Sequence, residues 1–100
     1  MIKHIVMWKL KDEAEGADRA TNIAKVKALL DGVANVVPGI LKFEAIVAQP
    51  GLEATYDVVL YSEFVDRAAL EAYGNHPDHV AIKPFITAVR SDRQCMDYEI

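Results

Sequence analysis

The chain has a single cysteine, Cys95, so it cannot close an intrachain disulfide; this fits a reducing, cytoplasmic setting. It also has no long apolar run. Near its start only Ile5-Val6-Met7-Trp8 precede Lys9, too short for a membrane span or a signal segment. No block of basic residues appears, and the net charge of −4 leaves no concentrated positive surface for a phosphate backbone, so no nucleic-acid partner is expected. Glycine and proline are sparse, at 5 and 4, and occur as punctuation rather than repeats. Phosphate-binding loops, dinucleotide fingerprints and nucleophile triads are missing, and no cofactor is expected.

What remains is one globular domain, residues 1–100, 52% apolar and 26% charged. Ile2 to Lys11 alternates at strand period, with His4, Val6 and Trp8 on one face and Lys3, Ile5 and Met7 on the other. A polar connection follows at 12–16. Asp18 is placed to cap a helix whose stripe is Ile23, Val26, Leu30, Val33 and Val37, ended by Pro38-Gly39. Ile40 to Gln49 and Thr55 to Phe64 read as two further strands. Asp66 caps a second helix running to Tyr73 and stopped by Gly74-Asn75. Pro77 opens another helical piece, which Pro84 divides. Arg93 to Ile100 alternates again. The order β-α-β-β-α-β is the ferredoxin-like α+β pattern, with helices over one face of a four-stranded antiparallel sheet. The uncovered face carries Ile5, Met7, Val59, Tyr61, Met96 and Tyr98, and a second copy of the chain is its expected cover. A mildly apolar exposed face on a monomer is the alternative.

The chemistry-bearing residues cluster at Tyr73-Gly74-Asn75-His76-Pro77-Asp78-His79, a phenol and two imidazoles in seven residues. Such groups move protons near neutral pH. His4, the third histidine, shares its strand face with Val6 and Trp8. Each also has a plainer structural reading: His76 as a helix cap, Tyr73 as a core residue with a bonded hydroxyl, His4 as a satisfied core histidine. His76, Asp78, His79 and His4 could form a metal site, but Pro77 departs from known helical ligand motifs, and none is expected.

These residues carry a family resemblance. His4-Ile5-Val6 with Lys9, Val37-Pro38-Gly39-Ile40, Asp57, Phe64, Leu70 with Tyr73, His76-Pro77-Asp78-His79 and Asp97-Tyr98 together resemble the stress-responsive A/B barrel (Dabb) proteins of the dimeric α+β barrel superfamily. The resemblance implies a homodimer made by joining two sheets. It also implies a pocket between helices and sheet. In a plant member with olivetolic acid cyclase activity, a tyrosine and a histidine close a linear polyketide by aldol condensation. Carried over, the catalytic pair is Tyr73 and His79, with His4 and His76 as pocket neighbours. Leu30, Arg90 and Arg93 depart from that enzyme, which argues against the same substrate, and Arg90 and Arg93 point toward an anionic ligand. Two functions follow: cofactor-free acid–base chemistry on a carbonyl or polyketide-like compound, or a non-catalytic, stress-associated ligand-binding dimer. Monooxygenases of the same superfamily are a further alternative.

Overall fold

In a computed structural model describing residues 1–100, four strands form one antiparallel sheet: β1 (Ile2–Leu10), β4 (Ile40–Val47), β5 (Val58–Phe64) and β6 (Arg90–Glu99), ordered β4-β5-β1-β6. Its helices are α1 (Arg19–Asp31), α2 (Arg67–Asn75) and α3 (Pro77–Val89), and β2 (Glu13–Ala14) and β3 (Ala17–Asp18) make a small separate hairpin. This is the ferredoxin-like α+β fold. No helix is long and apolar enough to cross a membrane.

Strand alternation sets the two sheet faces. Val6, Trp8, Leu10, Val58 and Leu60 are buried beneath the helices, where they meet Val26 and Leu30 of α1 and Ile86 and Val89 of α3. A second cluster, Ile2, Phe64, Val33, Ala69 and Tyr73, closes the other end. The opposite face is apolar and largely open. Ile5 pairs with Tyr61 and Met96, and Met7 with Val59, while Met7, Ile46, Met96 and Tyr98 are exposed.

Local chemistry explains the boundaries. Asp18 caps α1 by accepting from the Thr21 N–H at 2.8 Å, and Asp66 caps α2 by accepting from the Ala69 N–H at 2.8 Å. The expected polar connection after β1 is instead a tight hairpin: Glu15 and Gly16 both take positive φ, at 51° and 75°, as a two-residue turn of the primed type requires. Buried Asn22 holds it by donating to the Ala14 carbonyl at 2.9 Å.

Several boundaries differ from expectation. Helix α1 ends at Asp31, well before Pro38, because after the Gly32 N–H bond to Ala28 the four-residue pattern gives way to tighter three-residue bonds, Val33 N–H to the Leu30 carbonyl at 3.0 Å and Ala34 N–H to the Asp31 carbonyl at 3.3 Å. Val33 is still buried, but from a loop. Strand β5 begins at Val58 rather than Thr55, and β6 at Arg90 rather than Arg93. Gly74 and Asn75 stay inside α2, and α3 runs unbroken through Pro84. Pro84 withholds an N–H from the carbonyl of Val80; both residues are exposed, so water can satisfy that group.

Candidate active-site cavity

A cavity of about 460 Å³ opens between the sheet and the helices. His4, Val6 and Trp8 from β1, Leu60 from β5 and Arg93 from β6 line the sheet side, with Leu30 from α1. Tyr73 and Gly74 from α2, and His79, Lys83 and Thr87 from α3, line the helical side.

The junction between α2 and α3 builds the reactive corner. Only His76 separates the two helices, and its extended backbone turns the chain while its Nδ1 accepts from the Asp78 N–H at 3.1 Å. His76 is thus an N-cap. His76, expected among the substrate-binding residues, does not line the cavity, because its ring is turned onto the first turn of α3. Pro77 follows at the first helical position, where its missing N–H costs nothing.

One turn into α3, the half-buried His79 lies against Tyr73, with ring centroids 4.4 Å apart and planes at 44°. Its Nδ1 is 3.1 Å from the Gly74 carbonyl oxygen. A carbonyl only accepts, so Nδ1 carries the proton and, in the neutral ring, Nε2 is left as a base. Burial pushes the His79 pKa below its ordinary value; the hydrogen bond to the Gly74 carbonyl opposes this, and the nearby Lys83 and Arg93 charges add smaller contributions in the direction of burial. The ring is therefore a neutral base at physiological pH.

Tyr73 is 2% exposed, and its hydroxyl is buried without a hydrogen-bond partner. Burial holds its pKa well above the ordinary tyrosine value, so it is a donor, not a phenolate. His4 completes the group: its ring is edge-on to Tyr73 at 6.4 Å, and its Nδ1 is 2.5 Å from Asp97 Oδ1. The carboxylate accepts from Nδ1–H and leaves His4 Nε2 free.

The structure brings His4, Tyr73, His79, Arg90 and Arg93 around one void. It does not gather a metal-binding set: no group of three or more His, Cys, Asp or Glu side chains stands close enough to hold an ion. Three features escaped the sequence-based assignment. Asp97 backs His4, and Lys83 and Thr87 line the cavity. His4 and Asp97 sit directly opposite in the β1–β6 ladder, so aligning the two terminal strands would have paired them. Asp57 ties the end of β1 to the loop before β5. Its Oδ2 accepts from the Leu10 N–H at 2.8 Å, and its own N–H donates to the Trp8 carbonyl at 2.9 Å.

The sheet order, the helices over one face and the cavity beneath them define a ferredoxin-like domain. The chain belongs to the Stress responsive A/B Barrel Domain (Dabb) family, whose match spans residues 2–100. Among solved structures, a dimeric ferredoxin-like protein of unknown function from Bacteroides fragilis is 30% identical, with a TM-score of 0.80, over 99% of this chain and 95% of its own. A Dabb family protein from Mesorhizobium loti is 26% identical, with a TM-score of 0.68, over 99% and 95%. The hydroxynitrile lyase of Passiflora edulis is similar in fold, at 18% identity and a TM-score of 0.74, over 99% and 92%. No curated protein matches the sequence.

Proposed function

We propose that this Dabb domain is a cytoplasmic homodimer, joined through its open sheet face, that binds a small carbonyl compound and catalyses proton transfer at the carbon beside the carbonyl. The observation that carries this is the buried, unpartnered Tyr73 hydroxyl packed against the His79 ring in a cavity. A buried hydroxyl without a partner is costly, and a ligand oxygen would satisfy it.

In the reaction, His79 Nε2 takes a proton from the carbon next to a carbonyl. The electron pair moves onto the carbonyl oxygen, which accepts a hydrogen bond from Tyr73 as its charge grows. The enolate carbon then attacks a second carbonyl of the same molecule. A carbon–carbon bond forms, and the new alkoxide recovers the proton from the His79 imidazolium. The fold-related hydroxynitrile lyase shows only that this architecture hosts an enzyme of that name.

Exchange of carbon-bound hydrogen for deuterium in heavy water tests this without knowledge of the final product. Proton NMR of a panel of ketones and polyketide-like diketones should show protein-dependent exchange, lowered roughly 10²–10⁴-fold by His79→Ala. Exchange equal to that without protein, or unchanged in the variant, would overturn it. The second reading, a non-catalytic ligand-binding dimer, would bind members of the panel without exchange.

A further inference from the structure

The cavity is electrically one-sided. Three of the chain's eleven lysines and arginines line it, Lys83, Arg90 and Arg93, and none of the fifteen aspartates and glutamates does, although the chain as a whole is acidic. These three cations are also free. Lys3, Arg19, Lys27, Lys42 and Arg67 are all ion-paired. Lys11 donates to the Ala88 carbonyl, and Lys25 sits over the Phe85 ring. Of the basic side chains only Lys9 and the three in the cavity have no such contact. The nearby carboxylates are taken: Asp97 holds His4, while Asp92 accepts from Tyr56 and from the Arg93 N–H. Lys83 and Arg93 are exposed and Arg90 half-buried, whereas Trp8, Leu30 and Leu60 of the same cavity are buried. The void therefore grades from a cationic mouth to an apolar interior, with a volume suited to a small amphiphile.

We propose that the ligand is a medium-chain carboxylate, its carboxylate held by Lys83, Arg90 and Arg93 and its hydrocarbon chain laid against Trp8, Leu30 and Leu60. This rests on the cavity being the ligand site, and it names the class of molecule that enters it. Uncommitted guanidinium groups at a cavity mouth match a carboxylate in both charge and fork geometry. Two of these charges, Lys83 and Arg93, also act on His79, so the carboxylate-binding end and the base belong to one site.

Titration calorimetry with 4-oxodecanoate and its methyl ester tests this. The acid should bind at least about tenfold tighter than the ester, as expected for charge-assisted hydrogen bonds. Raising the ionic strength should weaken only the acid. The triple variant Lys83→Gln, Arg90→Gln, Arg93→Gln should bring the acid down to the ester's affinity and leave ester binding and the unfolding temperature unchanged, because none of the three side chains has an intramolecular partner. Lys9→Gln, outside the cavity, should keep the preference. Equal affinities, or a preference that survives the triple variant, would overturn the assignment. Preference for the acid without hydrogen exchange would overturn the catalytic function alone. Exchange on acid and ester alike would overturn the carboxylate alone, and absence of binding by either would overturn both.

Discussion

His79 and Tyr73 face each other across a helix junction one residue long, their ring centroids 4.4 Å apart, and the His79 Nδ1–H donates to Gly74 on the Tyr73 helix at 3.1 Å. That bond fixes the tautomer, and burial keeps the ring neutral. The pH dependence has a definite sign. Burial lowers the folded-state pKa below the ordinary 6.5, so between those two values the unfolded chain binds more protons than the folded one. The contribution of His79 to stability is complete above pH 6.5 and falls as the pH drops toward the folded-state pKa. Urea midpoints of the parent and of His79→Gln should therefore draw together from neutral pH to about pH 5. Parallel curves would show that the ring titrates like a solvated one.

Tyr73→Phe should separate stability from activity. The hydroxyl is buried and unpartnered, so its removal should raise stability by about 1 kcal/mol, the desolvation cost it now carries. The ring and its packing against Phe64 and Phe43 stay in place. Hydrogen exchange should fall, since the developing oxyanion loses its donor. A lowered unfolding temperature would mean that the hydroxyl is satisfied in solution, for example by buried water.

Two glycines should respond in opposite directions. Gly39 has φ +92°, and a Cβ there would lie 2.8 Å from Ala69 Cβ and 2.9 Å from Val65 Cγ1. Gly39→Ala combines a left-handed backbone with a clash at the α2–β4 contact, and should cost roughly 2–4 kcal/mol. Gly74 is helical, and a Cβ there meets nothing within 4 Å. Gly74→Ala should stabilise the chain by about 0.5–1 kcal/mol. Thermal unfolding of both variants checks the pair.

Helix starts and strand faces are legible in the sequence, whereas helix ends and long-range contacts are not. Asp18, Asp66 and His76 are legible as caps because a cap is settled within three residues. Strand alternation places His4 on the helix side and Ile5 and Met7 on the open side. The end of α1 is not legible, because Val33 and Val37 prolong a helical stripe although both pack on the core from a loop. Pro84 has the sequence signature of a helix break, but its exposed position lets water take the freed carbonyl and α3 continues. The His4–Asp97 bond spans 93 residues and exists only once β1 and β6 pair, so no local pattern announces it.

The open sheet face gives the last prediction. Ile5, Met7, Val59 and Met96 neighbour one another across β5, β1 and β6, and Ile46 of β4 is directly opposite Val59. The charges among them are internally matched: Lys3 donates to Tyr61 at 2.6 Å and to Glu63 at 2.9 Å, and Tyr61 donates to Glu63 at 2.6 Å. Such a triad can enter an interface without leaving an unpaired charge. The parent chain should therefore sediment as a dimer at micromolar concentration. Val59→Arg places an unpartnered guanidinium at the centre of the patch and should weaken association by several kcal/mol, enough to give monomer at the same concentration. The variant should keep its helical circular dichroism, since Val59 faces away from the core formed by Val58 and Leu60. A parent chain that sediments as a monomer, or a dimer indifferent to Val59→Arg, would remove this face as the interface.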